Sequence, residues 1–186
     1  MQAADTRLDQ LAHSEASLPA TKQVNELTEK LAELNTDVVN AATELSDLER
    51  EVRKAEDEVD QVRKRTTKDQ QLLDSGSITS GKQLEEIQHE IASLLRRQGD
   101  LEDAQLEVME RAEESQNVVD RLKEAVAKAE AERAEVQAVQ EAALAEIVTE
   151  RTEALARRED LGSGVPADLP ALYTKLRESL GGVAAA

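Results

Sequence analysis

The chain of 186 residues has 34% charged residues, a net charge of −17, no cysteine and a single aromatic residue. The acidic balance argues against broad binding of nucleic acid or anionic membranes, and the lack of cysteine excludes disulfides and thiolate metal sites in these residues. No apolar run predicts a membrane span or a signal peptide, so we expect a cytoplasmic protein. Composition rich in Leu, Val, Ala and Glu without aromatic bulk is typical of coiled coils, which predicts an all-α fold.

The first predicted element is a short helix within residues 1–18. Leu8, Leu11 and Leu18 recur at roughly helical spacing, and Pro19 then breaks or kinks the helix. If the following chain folds back on itself, this helix would lie along residues 138–154.

Residues 19–162 are predicted to form a long antiparallel coiled-coil hairpin, and its first arm carries an unbroken apolar seam. Spacings of three and four residues alternate along this arm, which is a heptad pattern that demands a partner helix. The seam residues are Val24, Leu27, Leu31, Leu34, Val38, Ala41, Leu45, Leu48, Val52, Ala55, Val59 and Val62.

The second arm repeats this pattern, which supplies the partner seam. Its apolar positions are Leu84, Ile87, Ile91, Leu94, Leu101, Val108, Ala112, Val119, Leu122, Val126, Ala129 and Val136, with polar Gln98, Gln105, Ser115 and Arg133 between them. Beyond Val136 we expect the seam to loosen, with Ala143, Ile147 and Leu155 remaining, until Gly162 ends the helix.

The two arms are predicted to join through a turn near residues 74–80. Gly76 can adopt the left-handed conformation at the end of the first helix. Ser80 and Gln83 have the spacing of a capping box, which would begin the second helix around Gly81. A connection this short makes the two helices antiparallel.

Residues 163–186 are predicted to contain a short helix and a linker. Asp168 is a plausible N-cap and Gly181 a stop. The apolar positions Leu169, Leu172, Tyr173, Leu176 and Leu180 predict an amphipathic helix that packs on the open end of the hairpin.

No catalytic motif is found, and paired helices offer no deep pocket, so we expect a protein that is not an enzyme. Glu86 and His89 have the Glu-x-x-His spacing of di-iron bundles. Such sites need two copies and further glutamates, so we expect no metal and no cofactor in this chain.

A local excess of positive charge marks the region of the turn. Between Val62 and Gly99 there are seven Lys and Arg residues against five Asp and Glu, so the region is about +2 and the rest of the chain −19. The candidate partner-binding residues are Arg63, Lys64, Arg65, Lys68, Lys82, Arg96 and Arg97. The alternative is ordinary helix electrostatics with ion pairs across the hairpin, and no aromatic residue is present there to stack on bases.

Residues 72–111 resemble a bacterial family, in its actinobacterial branch, that is built as a long coiled-coil hairpin followed by a four-cysteine zinc ribbon. The residues that carry the resemblance are Leu73, Gly76, Lys82, Leu84, Ile87, His89 and Glu90, followed by Leu101, Glu102 and Asp103. Because this chain has no cysteine, the resemblance implies either that the ribbon and its zinc lie beyond Ala186 or that they have been lost.

The leading hypothesis is a non-enzymatic adaptor or scaffold that docks protein partners, which the resemblance places in the transcription or secretion machinery. The alternative is RNA or DNA binding through the ribbon, helped by the basic tip. A third reading is a coiled-coil arm of a larger ATPase, against which the capped helix ends argue. We expect a monomer, with the region after Val136 and the apolar face of Leu169, Leu172 and Leu176 as the places where a weak dimer contact could form.

Overall fold

The chain forms an all-α fold in a computed structural model that describes residues 1–166 and 168–180. Its helices are α1, Gln2–Ala16; α2, Pro19–Asp74; α3, Gly81–Ser163; and α4, Asp168–Ser179. No β-strand occurs in these two ranges. The predicted stop at Gly181 lies outside the described residues. By their contacts the residues form two compact units, Glu33–Val126 and Met1–Ala32 with Ala127–Ala186, a division that the sequence did not indicate.

In the unit Glu33–Val126, the seam of α2 is buried as predicted. Each predicted seam residue is buried or half-buried, and Val59 is only 2% exposed. Val39 lies one position off the seam and is 64% exposed. The same spacing continues past Val62, because Asp69 is buried and Thr66 and Leu73 are half-buried.

Ion pairs between the arms in this unit show that α2 and α3 run antiparallel. Arg63 Nη2 lies 2.6 Å from Glu102 Oε1, and Arg111 Nη1 lies 3.7 Å from Glu51 Oε2. The residue earlier in α2 (Glu51) contacts the residue later in α3 (Arg111), which confirms the predicted antiparallel hairpin.

The seam of α3 in this unit is also as predicted, apart from its first residue. Ile91 and Val119 are buried, and the polar seam residues Gln98 and Gln105 are half-buried. Leu84, however, is 38% exposed. It lies in the first turn of α3, directly after the exposed turn residues Thr79 and Ser80.

The turn contains the left-handed glycine that the sequence predicts. Gly76 has φ of +64°, and its N–H approaches the Leu73 carbonyl at 3.5 Å. The α3 helix begins at Gly81, and the Ser80 carbonyl accepts the N–H of Leu84 at 3.1 Å. The capping box is wrong in detail, because no hydrogen bond joins the side chains and backbone of Ser80 and Gln83, both of which the structure describes.

In the other unit, α1 packs on α3 further along than predicted. Asp5 binds Arg158 at 2.6 Å, Arg7 pairs with Glu150, and Glu15 lies 3.6 Å from Arg151. These α3 partners span 150–158, whereas the expectation was 138–154. Side-chain ion pairs, which simple counting ignores, set this register.

The expected loosening of the α3 seam after Val136 is wrong. Burial continues at spacings of three and four residues through Gln140, Ala143, Ile147, Glu150, Ala154 and Arg158. Leu155, predicted as a seam residue, is 50% exposed, whereas Ala154 is 5% exposed. The pattern looked irregular in the sequence because polar residues occupy half of these positions.

The helix α4 packs on α1 through Tyr173 and Arg177, which are both half-buried. The Tyr173 hydroxyl donates to Gln2 Oε1 at 3.1 Å, and Arg177 donates to the Asp5 carbonyl at 3.3 Å and pairs with Asp9. Leu169, Leu172, Leu176 and Leu180 are 41–61% exposed. Of the five predicted apolar positions Tyr173 makes the contact, whereas the expected packing by the leucines is wrong. Asp168 is the first residue of the helix rather than its cap.

Candidate docking surface at the turn end of the hairpin

Three of the seven basic residues predicted at the tip form ion pairs with carboxylates. Arg63 pairs with Glu102 across the hairpin, and Arg65 lies 3.1 Å from Asp69 and 3.7 Å from Glu90. Lys82 lies 3.8 Å from Glu86 within α3. These contacts match ordinary helix electrostatics, so these three side chains contribute mainly to local pairing.

The other four basic residues point into solvent without a carboxylate partner. Lys64 and Lys68 on α2, and Arg96 and Arg97 on α3, are exposed. Within the described ranges no Asp or Glu oxygen lies within 4.0 Å of their charged atoms. Arg96 bonds the Ala92 carbonyl at 3.3 Å, which leaves its positive charge unneutralised. We call these four residues the cationic tip.

An open groove where the two arms meet is lined by Arg97, one of the four residues of the cationic tip. Its volume is about 280 Å³, and Val62, Leu94 and Leu101 contribute apolar surface to it. Arg65 and Arg97 line it from opposite helices. The groove therefore combines apolar surface with two guanidinium groups and the carboxylate of Glu58, which suits a segment of a protein partner better than a small polar substrate.

The ion pair at the edge of this region affects the acidity of Glu102. Hydrogen bonds from Gln98 and then from Arg63 hold the pKa of the Glu102 carboxyl below its usual value. The Gln98 amide is 2.8 Å from Glu102 Oε1. A lowered pKa keeps this carboxylate charged down to a lower pH, so the pair with Arg63 persists under mildly acidic conditions.

The Glu86 and His89 pair stands in a shallow groove with Lys82, Glu85 and Glu90. Glu86 is engaged by Lys82 and His89 is exposed. Among the residues described, no group of three or more His, Cys, Asp and Glu side chains is placed to hold a metal ion.

The sequence reading missed two polar seam residues beside the candidate surface. Thr66 is half-buried, and Asp69 is 8% exposed with its carboxylate on Arg65. Extending the three-and-four spacing beyond Val62 would have found both. The turn residues Gly76, Ser80, Gly81 and Gln83 are all exposed, so they border the same solvent-facing end of this unit.

A fold of two antiparallel helices with a polar surface defines a coiled-coil hairpin domain, and the comparisons agree. Residues 1–181 match the family described as the CT398-like coiled coil hairpin domain. The chain belongs to this family.

Relatives and solved structures support the same assignment. An uncharacterized Mycobacterium tuberculosis protein, Rv2229c, is 36% identical over 93% of this chain and 70% of its own length. A Mycobacterium smegmatis structure has 34% identity and a TM-score of 0.82 over 95% of this chain and 73% of that one. CT398 from Chlamydia trachomatis has a TM-score of 0.66 at 14% identity, over 96% of this chain and 74% of its own, which shows the shared fold.

None of the helices in the described ranges has a stretch that is long and apolar enough to cross a bilayer.

Proposed function

We propose that this protein is a non-enzymatic scaffold that docks acidic surfaces of partner proteins at the cationic tip. The observation that carries the proposal is the set of four exposed, unpaired cations Lys64, Lys68, Arg96 and Arg97 in a chain of net charge −17. The region from Val62 to Gly99 carries about +2 and the rest of the chain −19, which favours approach of an acidic surface to the tip. The groove of Val62, Leu94 and Leu101 adds apolar contact beside these charges.

The proposal extends to the full gene product. The matched part of Rv2229c is 70% of that protein's length, and the family resemblance implies a four-cysteine zinc ribbon beyond Ala186. In this proposal the hairpin holds a partner at its tip while the ribbon, with its zinc, supplies a second contact. Partners in transcription or secretion machinery follow from the same resemblance, and a cytoplasmic location is proposed from the composition.

The test is capture of partner proteins by the full-length gene product with the tip charges reversed. The tip variant is Lys64→Glu, Lys68→Glu, Arg96→Glu and Arg97→Glu. A matched control reverses four exposed cations elsewhere, Lys30, Arg121, Lys123 and Lys128. We expect the wild type and the control to capture the same proteins and the tip variant to lose them. Equal capture by all three proteins would contradict docking at the tip.

Nucleic-acid binding is the second candidate, because the same four cations fit phosphates. Here the ribbon would make the main contacts and the tip would add to them. A gel shift with RNA and duplex DNA compares the full-length product with residues 1–186. Binding by the full-length product that weakens in the tip variant, together with unchanged protein capture, would favour this candidate over the scaffold.

A further inference from the structure

A second exposed surface lies on α3 in the unit Glu33–Val126, and it is apolar. Leu95, Leu106 and Met109 are 53%, 57% and 43% exposed. Together with Gly99 and Glu102 they recur at spacings of four, three, four and three residues, so all five share one face of α3. This face is turned one residue away from the buried seam, where a hairpin normally carries charged residues. We call Leu95, Leu106 and Met109 the apolar stripe.

The charged residue Glu102, which lies on this face between Leu95 and Leu106, is already neutralised. Glu102 pairs with Arg63 of α2 at 2.6 Å, and its side chain is 35% exposed. This pair also shows which side of α2 borders the stripe, because Asp60 and Glu56 lie three and seven residues before Arg63 on the same face.

Unpaired carboxylates therefore flank the stripe on both sides. Asp60 and Glu56 stand on the α2 side, and Asp103 and Glu110 stand one turn before and after Leu106 on the other side. All four are exposed, and no Lys, Arg or His nitrogen of the described residues lies within 4.0 Å of their oxygens. The stripe is thus an apolar strip between two acidic borders, with Arg96 as a cation near its Leu95 end. Arg53, which pairs with Glu49, lies three residues before Glu56 on the α2 side.

We propose that the apolar stripe docks a basic amphipathic helix of a partner protein. Leucine-like side chains of that helix would cover Leu95, Leu106 and Met109, and its Lys or Arg residues would pair with the four carboxylates. The stripe extends over residues 95–109, about 21 Å of helix, which four turns of a partner would cover. The inference is independent of the cationic tip, whose residues have the opposite charge.

The acidic borders make nucleic acid, an anionic membrane or a second copy of this chain unfavourable ligands for the stripe. Nucleic acid and anionic membranes carry phosphates, which the four carboxylates repel. A second copy of this chain would bring the same acidic borders and another net charge of −17 to the contact. A basic helix alone gains from both the apolar strip and its flanks.

The probe is a fluorescein-labelled 18-residue helical peptide with leucine at every third or fourth position and lysine at the flanking positions. A second peptide has glutamate in place of each lysine, and a labelled single-stranded RNA serves as the polyanion. Fluorescence anisotropy is measured against the protein of residues 1–186. We expect saturable binding of the lysine peptide, weakened by added salt, and binding of the glutamate peptide and the RNA that is at least about tenfold weaker.

Two variants distinguish binding at the apolar stripe from general attraction of the lysine peptide to an acidic protein. Leu106→Ser with Met109→Ser removes apolar surface at exposed positions. The control is Val39→Ser, because Val39 is 64% exposed and lies in the same unit but outside the stripe. We expect the double variant to bind the lysine peptide at least about fivefold more weakly and the control to bind as wild type. Circular dichroism establishes that each variant is helical.

A third variant tests the borders without touching apolar surface, by changing Glu56 and Glu110 to Gln and Asp60 and Asp103 to Asn. It should weaken binding of the lysine peptide and reduce the preference over the glutamate peptide. The proposal is overturned if the lysine peptide does not bind, if the two peptides bind equally, or if the serine variant binds as wild type.

Discussion

The two compact units bury the same kind of helical seam with different chemistry. In Glu33–Val126, apolar residues such as Leu48 and Val59 fill most seam positions, and the ion pairs lie on the flanks. In the other unit, α3 presents Gln140, Glu150 and Arg158 at seam positions. Gln140 donates to the Thr21 hydroxyl at 2.9 Å, and Arg158 holds the buried Asp5 at 2.6 Å.

The difference shows how a regular spacing can serve two purposes. Apolar seam residues stabilise the pairing by burial, regardless of small shifts along the helix. Buried polar residues stabilise only one arrangement, because each must find its own partner or remain desolvated without compensation. We infer that the polar seam fixes where α1 lies on α3.

The largest effect is expected from a charge in the apolar seam. Val59→Asp places a carboxylate at a position that is 2% exposed, so we expect a loss of at least about 3 kcal/mol in the free energy of unfolding. Val39→Asp, at a position 64% exposed, should change it by no more than about 0.5 kcal/mol. Urea unfolding followed by circular dichroism measures both. Similar losses in the two variants would disprove the assigned seam.

A smaller and more local effect is expected in the polar seam. Arg158→Ala leaves the Asp5 side chain, 3% exposed, without its partner, and Asp5 Oδ2 already lacks a hydrogen bond within the described residues. Because Arg158 itself is 37% exposed, solvent screens part of the effect and we expect a loss of about 2–3 kcal/mol.

Hydrogen exchange of the α1 backbone amides reports this loss directly. Arg151→Ala is the control, because it breaks only the exposed pair with Glu15 and should cost less than about 1 kcal/mol. If both variants leave α1 equally protected, the buried pair does not hold α1 in place.

Two glycine substitutions compare the effect of an added side chain on stability in the turn and in a helix interior of the same unit. Gly76→Ala forces a side chain into φ of +64° and should destabilise the protein by about 1 kcal/mol. Gly99→Ala should stabilise it by about 0.5–1 kcal/mol, since Gly99 is helical and a new Cβ would meet nothing within 4 Å. Thermal unfolding would contradict this account if both substitutions shifted stability in the same direction.

The single tyrosine gives a small but clean signal from the α1–α4 contact. Burial raises the pKa of Tyr173 above its usual 10.0, and the neighbouring Asp5 carboxylate raises it further. The fold therefore favours the neutral phenol, and this contribution to stability is present below pH 10 and lost as the pH rises through the folded-state pKa. Tyrosinate absorbance should show a higher midpoint in native protein than in urea, and coincident midpoints would place Tyr173 in solvent.

The sequence predicted most of the fold because apolar spacing reports burial directly. It located the α2 seam and the Gly76 turn, and it predicted the hairpin that the family match supports. It misjudged α3 after Val136 because Gln140, Glu150 and Arg158 look like surface residues until their partners are known.

At the candidate site the sequence identified the basic residues, but it did not show which of them form ion pairs. Arg63, Arg65 and Lys82 have carboxylate partners, whereas the four residues of the cationic tip have none in the described ranges. Which basic residues find a carboxylate depends on how the two helices are rotated about their axes. A count of charges in the sequence gives no information on that rotation. Leu106 and Met109 were overlooked because scattered exposed apolar residues are common on protein surfaces.

Site-specific photo-crosslinking tests the central claim, docking at the cationic tip, most directly. A photoreactive amino acid replaces Lys68 at the tip or Lys123 on α3, both exposed, in the full-length gene product expressed in its own cells. We expect position 68 to give protein adducts that survive nuclease treatment and position 123 to give few or none. Adducts equally abundant at both positions, or adducts at position 68 that nuclease removes, would contradict the account.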